Sequence, residues 1–162
     1  LSLVDDYKDY QFIIAGAPGQ DYEFYKQFIK KSNVHFLNNK TYDLLSVSTA
    51  ALVTSGTATL ETALFKVPQV VCYKGSWVSY QIGKRVVDLD YISLVNLILN
   101  KEAVTELIQD DFNTKRLKKE LDILLNAYER TKFFVNYYEL EKDLGGKGAS
   151  ENTAKLIYNA TA

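Results

Sequence analysis

The stretch Ala50–Gly75, AALVTSGTATLETALFKVPQVVCYKG, decides the fold of this chain. It contains an apolar run, a turn of small residues, a segment with helical spacing, and a second apolar run rich in β-branched residues. A strand, a helix and a second strand form the unit of parallel sheets, because parallel neighbours need a crossover connection. The second run, QVVCY, lacks the polar alternation of a half-exposed strand. The stretch therefore predicts a βαβ unit whose second strand is covered on both faces.

The same alternation continues on both sides of this unit. Upstream, YQFIIAGAPG precedes DYEFYKQFIKK, where Asp21 is placed to cap a helix, and VHFLN precedes TYDLLSVS. Downstream, the second apolar run precedes SWVSYQIGKRVVD, and from about Thr114 the pattern is helical, broken at Gly145 and Gly146 before a last helix opened by Ser150. Four apolar runs alternating with helical segments predict an α/β fold with a doubly wound parallel sheet.

Composition limits the class of protein. The chain has 162 residues, 47% of them hydrophobic and 24% charged, which fits one globular domain over residues 1–162, with a helical extension over 114–162. A formal net charge of −1 gives no basic field for nucleic acid. The single cysteine, Cys72, lies in an apolar run and is interpreted as a buried, inert thiol. The sequence contains neither a long apolar span nor a leader peptide. Since it begins at Leu1 and has no Met, we expect a missing upstream segment.

The turn SGTAT (55–59) is the strongest candidate for a ligand site. Open α/β sheets bind ligands beyond the carboxyl ends of their strands, where helix N-termini present unpaired N–H groups. Ser55 and Gly56 permit a tight turn, after which the next N–H groups form an anion site backed by the helix dipole. Glu61 follows one turn later, where a carboxylate accepts hydroxyl groups such as those of a ribose. Taken alone, the stretch equally fits a helix capped by Ser55 or Thr57 with Glu61 on its solvated face.

Two motifs in order carry a family resemblance. SGTATLETALFKVPQVVCYK, followed by DYISLVNLILNKEAVTELIQDD, resembles the C-terminal half of the lipid-A-disaccharide synthases, bacterial glycosyltransferases of the two-domain GT-B fold. The resemblance implies a domain that binds UDP-2,3-diacylglucosamine and needs no cofactor. It also implies transfer of the sugar, with inversion, to the 6-hydroxyl of 2,3-diacylglucosamine 1-phosphate. In related enzymes the small-residue turn faces the diphosphate and the Glu holds the ribose, which here are Ser55, Gly56, Thr57, Ala58 and Glu61.

The second motif matches the family less evenly. Family members generally have Ser-Leu-Pro-Asn where this chain has Ser-Leu-Val-Asn, and Asn96, the polar group expected at the donor site, is retained. The usual Gly-Arg-Glu becomes Asn-Lys-Glu, which puts any bidentate phosphate contact from Lys101 in doubt. Asn96 and Gln109 equally fit a turn and a helix surface. The weaker donor-site candidates are Leu37, Asn38, Lys74, Lys101, Glu102, Glu106 and Gln109.

Other polar residues have plainer interpretations. Asp88 and Asp90 form an Asp-x-Asp, but in a context that follows a helix, so we expect no metal site. His35, in an apolar run with no second His, is interpreted as a strand residue. Lys74 fits a solvated strand end as well as a phosphate ligand. Leu37 and Asn38 are placed, by topology alone, where GT-B relatives often receive uracil.

The aromatic series Tyr128, Phe133, Phe134, Tyr137 and Tyr138 covers too much of one helix to face a single core. The resemblance implies that the terminal helices cross onto an N-terminal acceptor domain absent here, so part of this surface is expected to be an interface or to favour self-association. Catalysis is expected to need that missing half, which would hold the general base and any contact with the cytoplasmic face of the inner membrane. Alternatives are a UDP-sugar epimerase, another GT-B transferase, or a non-catalytic flavodoxin-like domain.

Overall fold

The computed structural model describes residues 1–17, 19–54, 56–76, 90–146 and 148–161. The strands are β1 Phe12–Gly16, β2 Val34–Asn38, β3 Ala51–Val53, β4 Gln69–Tyr73 and β5 Glu106–Ile108. The helices are α1 Tyr22–Lys26, α2 Thr41–Val47, α3 Thr57–Leu64, α4 Leu94–Leu99, α5 Thr114–Leu125, α6 Ala127–Asp143 and α7 Ala149–Thr161. Single 3-10 turns lie at Val4–Asp6 and Gln109–Asp111. The helix predicted for SWVSYQIGKRVVD lies outside the described residues.

The described strand pairs are all parallel, which confirms the α/β class. β1 pairs with β2 from Phe12 opposite Val34 onward. β3, β4 and β5 form a three-stranded sheet with β4 at its centre. Val71 of β4 lies opposite Val53 of β3 and Glu106 of β5. Among the described residues, the strands thus form two hydrogen-bonded sheets, one of two strands and one of three. The fifth strand was not predicted, because it has only three residues and begins with a glutamate.

The central strand β4 is covered on both faces, as its apolar sequence predicts. Val70 and Cys72 pack against a cluster that includes Leu121 and Leu124 of α5. Val71 faces the other way, into a cluster with Val95 of α4. That second cluster also contains Ala63 of α3 and Tyr137 and Leu140 of α6. Successive residues of a strand point to opposite sides, so a run without polar alternation feeds two cores.

The helix ends follow local sequence signals. Asp21 caps α1 by accepting a hydrogen bond from the Phe24 N–H at 3.1 Å, as predicted. Asn113 and Asn126 cap α5 and α6 in the same way. Chain direction changes after α6 at Gly145 and Gly146, whose φ angles of 76° and 66° favour glycine. Among the described residues, no helix is both long and apolar enough to cross a membrane.

Candidate functional site

The N-terminus of α3 begins at Gly56 and is not capped by a side chain in the described part of the chain. Gly56 has φ 122° and ψ −162°, a conformation that L residues avoid. Its carbonyl accepts hydrogen bonds from the Thr59 N–H at 3.2 Å and the Thr59 hydroxyl at 2.8 Å. The turn therefore needs glycine for its backbone conformation, and the helix begins without the usual polar N-cap side chain.

The N–H groups of Thr57 and Ala58 lie in the first turn of α3, where helical N–H groups have no partner within the helix. Thr57 is exposed and Ala58 is half-buried. The helix dipole adds positive potential at the same point, so this end of α3 suits an anion. Thr57 is inside the helix rather than at the N-cap, so it does not fill the capping role that was the plainer alternative. Ser55 lies outside the described residues.

Glu61 is half-buried and lines a cavity of about 540 Å³. The other lining residues all come from the segment that follows β2, at the carboxyl edge of the first ladder. They are Asn39, Lys40, Thr41, Tyr42 and Asp43. Leu37 and Asn38 end β2 immediately before this segment, and both are exposed. The fold thus brings Glu61 to the segment that directly follows Leu37 and Asn38, the two residues that topology assigns to the uracil.

The segment 39–43 was not among the predicted site residues. Asn39 has a φ of 55°, which turns the chain sharply at the end of β2. The Lys40 ammonium lies 3.1 Å from the Asp43 carboxylate, and the ring of Tyr42 stacks on Phe65 with centroids 5.4 Å apart. The signal in the sequence was the polar turn NNKT directly after an apolar run, because such turns lie at the ligand edge of a parallel sheet.

Lys74 and Gln109 also lie at carboxyl ends of strands. Lys74 follows β4 and is exposed, and Gln109 follows β5 and is half-buried. Gln109 has a φ of 52°, and its side-chain amide donates to the Gly75 carbonyl at 3.3 Å. This contact joins the segments after β4 and β5. Gln109 thus begins the 3-10 turn that follows β5, and its side chain is tied to the backbone after β4.

Asn96 is fully buried and its side chain joins α4 to the start of β5. Its amide group donates to the Val104 carbonyl at 2.8 Å and to the Glu106 carboxylate at 2.9 Å. Its carbonyl oxygen accepts from the N–H groups of Ala103 and Val104 at 2.8 and 2.9 Å. These four bonds use the whole hydrogen-bonding capacity of the amide. In this arrangement Asn96 offers no polar atom to a donor substrate, and its expected turn or surface position is not what the fold shows.

Glu106 completes the same network. Its two carboxylate oxygens accept hydrogen bonds from the backbone N–H groups of Ile92 and Ser93, each at 2.9 Å. The Ser93 hydroxyl in turn caps α4 by accepting from the Asn96 N–H at 3.3 Å. The start of α4 is therefore held by Ser93, Asn96 and Glu106 together, which gives the retained residues of the second motif a role in the fold.

Lys101 and Glu102 are not brought to the α3 turn. They follow the carboxyl end of α4 and precede β5, which places them on the amino side of the ladder, whereas Gly56 follows the carboxyl end of β3. The Lys101 ammonium pairs with the Glu139 carboxylate of α6 at 2.5 Å, and Glu102 is exposed. The ion pair of Lys101 thus joins the end of α4 to α6, and the side chain is not directed at a phosphate site by the α3 turn.

The remaining polar candidates occupy ordinary positions. Cys72 is buried, and burial raises the pKa of its thiol to about 11, so it is not a nucleophile at neutral pH. His35 is exposed in β2, and Asp90 is exposed ahead of α4. Asp88 lies outside the described residues, and the described residues contain no group of three or more metal-ligating side chains.

Parallel strands, crossover helices and an uncapped helix N-terminus at the carboxyl edge define a Rossmann-like α/β domain. The chain belongs to the Lipid-A-disaccharide synthetase family, whose sequence model matches residues 2–159. It is 37% identical over 150 residues to the lipid-A-disaccharide synthase of Syntrophus aciditrophicus, with 90% of this chain and 39% of that protein covered.

Two further relatives give the same picture. The lipid-A-disaccharide synthase of Geobacter sulfurreducens is 34% identical over 160 residues, with 96% of this chain and 41% of that protein covered. The corresponding enzyme of Persephonella marina is 35% identical, with 93% of this chain and 41% of that protein covered. The resemblance found in the two motifs is confirmed. The chain spans about two fifths of the length of these curated relatives.

Proposed function

We propose that this chain is the donor-binding part of an inverting glycosyltransferase of lipid A biosynthesis. The reaction transfers 2,3-diacylglucosamine from UDP to the 6-hydroxyl of 2,3-diacylglucosamine 1-phosphate, and releases UDP. The observation that carries the proposal is the uncapped N-terminus of α3 beside the cavity lined by Glu61. Family membership supports the reaction class, and the names of the relatives support the product.

The diphosphate of UDP is assigned to the start of α3. The N–H groups of Thr57 and Ala58 would donate to its oxygens, with Gly56 allowing the close approach. When the glycosidic bond breaks, negative charge develops on the diphosphate, and N–H donors already aimed at it would stabilise that charge. Binding and leaving-group stabilisation would thus come from the same backbone groups, without a metal ion.

The ribose is assigned to Glu61 and the base to the segment beyond β2. A carboxylate accepts two vicinal hydroxyl groups, and Glu61 lines an open cleft together with the segment 39–43. Leu37 and Asn38 would reach the uracil from the end of β2. Lys74 and Gln109, at the ends of β4 and β5, would face the sugar side of the same edge.

The exposed apolar side chains of the terminal helices are proposed as an interface. Tyr128, Val135 and Tyr138 on α6 are 73%, 67% and 64% exposed, and α7 has no buried residue among those described. On α7 the exposed large apolar residues are Leu156, Ile157 and Tyr158. Apolar surface of this kind favours association. We assign it to the acceptor-binding part that the relatives' greater length allows, with self-association as the consequence when that part is absent.

Calorimetric titration tests the nucleotide assignment. We expect UDP to bind without Mg²⁺, UMP to bind more weakly because it lacks one phosphate, and ADP to bind more weakly because a purine replaces uracil. Salt should weaken binding only modestly, since few charges are paired. Equal binding of UDP and ADP, or an absolute need for a metal ion, would contradict the proposal. No binding of any nucleotide would favour a non-catalytic α/β domain.

A further inference from the structure

Gln69 makes a polar contact between the sheet and α3, the helix at whose start we place the donor site. Gln69, the first residue of β4, is fully buried, and its amide group donates to the Thr59 carbonyl at 2.9 Å. Thr59 is also fully buried and lies in the first turn of α3. The side chain thus reaches from the central strand to the turn whose outward N–H groups we assign to the diphosphate.

Thr59 in turn holds the N-cap residue Gly56 through two hydrogen bonds. Its hydroxyl donates to the Gly56 carbonyl at 2.8 Å, and its N–H donates to the same oxygen at 3.2 Å. Gly56 has no side chain of its own to fix the turn. Within the described residues, the backbone from Gly56 to Thr59 is therefore held from inside the protein, by Gln69 and Thr59.

The Gln69 side chain also lies against a second buried polar group, the Tyr137 hydroxyl. Burial is the largest effect on that hydroxyl and raises its pKa, while its contacts with the side chain and backbone of Gln69 lower it. Gln69 Oε1 and Tyr137 Oη are both buried, and neither meets the geometry of a hydrogen bond with another group among the described residues. Met at position 69 would fill a similar volume, but it would remove the bond to Thr59 and the polar neighbour of Tyr137.

We infer that Gln69 is a positioning residue for the donor-binding turn. By holding the Thr59 carbonyl it fixes the rotation of α3 about its axis, and with it the direction of the Thr57 and Ala58 N–H groups. Gln69 does not touch the ligand, since it is buried behind the helix. The inference rests on the proposed function, because the direction of these N–H groups matters only if an anion binds them.

The test compares Gln69→Met with Val70→Ala. Val70 lies next to Gln69 in β4 but in the cluster on the opposite face. For Gln69→Met we expect UDP affinity to fall about threefold to tenfold, the effect of one hydrogen bond. For Val70→Ala we expect lower resistance to urea, because a cavity forms, and an unchanged UDP affinity. In the ligand-free chain, only Gln69→Met should shift the amide resonances of Thr57 and Ala58.

The outcomes separate the inference from the proposed function. Unchanged Thr57 and Ala58 resonances in Gln69→Met would overturn the positioning role whether or not UDP binds. Unchanged UDP affinity with lower urea resistance would show that Gln69 only supports the fold, and would also overturn it. If the unaltered chain fails to bind UDP, the proposed function fails and a donor-positioning role fails with it, even where the resonances move.

Discussion

At the scale of single residues, Glu61 and Asn96 have different surroundings in the fold, although the same prediction was made for both from the sequence. Glu61 is half-buried and lines a cavity, whereas Asn96 is fully buried with four hydrogen bonds to neighbouring groups. Both were predicted to contact the donor. The position of Glu61 near the start of α3 could be predicted from the helix pattern, because a residue one turn after a helix N-terminus lies close to that terminus. The pattern around Asn96 does not reveal its partners, since they come from the loop that enters β5.

Glu61 should contribute to UDP binding through the ribose hydroxyl groups. We expect Glu61→Gln to lose about 1.5 to 3 kcal/mol of UDP binding free energy, as for a hydrogen bond to a charged group. The chain and the variant should bind 2′,3′-dideoxy-UDP nearly equally, since that analogue lacks both hydroxyls. Glu102→Gln, at an exposed glutamate away from the α3 turn, is the matched control. Equal losses for UDP and the analogue would place Glu61 outside the ribose site.

Asn96 should contribute to folding stability. Asn96→Ala leaves the N–H groups of Ala103 and Val104 and the Val104 carbonyl without their partner in the core. We expect the free energy of unfolding in urea to fall by about 2 to 4 kcal/mol. Asn136→Ala is the control, because Asn136 makes one long hydrogen bond, 3.4 Å, to the Ala103 carbonyl. Comparable stability of the two variants would show that the Asn96 network contributes little.

At the scale of elements, the sequence predicts the types of helices and strands better than their ends or contacts. Apolar runs and caps such as Asp21 are local signals, so β1 to β4 and the helices α1 to α3 lie where the pattern predicts them, whereas α4 was not predicted. β5 was not predicted from the sequence, because its three residues gain their strand conformation from pairing with β4. The hydrogen bond from Gln69 to Thr59 was not predicted either, because it joins residues of two elements across the core.

The contact of Tyr7 with α5 should affect how the free energy of unfolding changes at alkaline pH. The Tyr7 hydroxyl donates to the Asp122 carboxylate at 2.5 Å, and the Lys118 ammonium lies over the Tyr7 ring at 4.7 Å. Burial, followed by the hydrogen bond to Asp122, raises the pKa of Tyr7 above its model-compound value of 10.0. The hydrogen bond to Tyr7 raises the pKa of Lys118. Both groups are thus held protonated in the folded state.

A raised pKa in the folded state contributes stability that is complete below the unfolded pKa and is lost as pH rises through the folded value. We therefore expect the free energy of unfolding to fall as pH rises above about 10. Tyr7→Phe should reduce this fall, measured by urea unfolding at pH values on either side of it. Tyr158→Phe, at an exposed position of α7, is the control and should leave the fall unchanged. An identical pH dependence in Tyr7→Phe would contradict the assignment.

At the scale of the whole molecule, the proposed function gives this chain the donor side of a reaction with two substrates. The relatives are about two and a half times as long, since this chain spans 39% to 41% of them. Our assignments at the described carboxyl edge all concern the donor. Transfer also needs an acceptor hydroxyl held beside a base and in line with the anomeric carbon, and such orientation accounts for about 7 to 11 kcal/mol of a barrier.

We therefore expect the chain alone to make no disaccharide from UDP-2,3-diacylglucosamine and 2,3-diacylglucosamine 1-phosphate. Binding one substrate does not create complementarity to the transition state. Product should appear when the remaining part of a relative, made separately, is added to the assay. Chain carrying Glu61→Gln should give less product in the same mixture. Turnover by the chain alone would contradict the division of donor and acceptor between two parts.

An amide chemical-shift titration with UDP shows whether the nucleotide binds at the start of α3. We expect saturable shifts of Gly56, Thr57, Ala58 and Glu61 and of the segment 39–43, in the absence of Mg²⁺. Elsewhere on the surface, Lys115, Lys118 and Lys119 of α5 line a cleft of about 470 Å³ together with Asp122 and Glu129. Shifts confined to that cleft, with the α3 turn unchanged at saturating UDP, would contradict binding at α3.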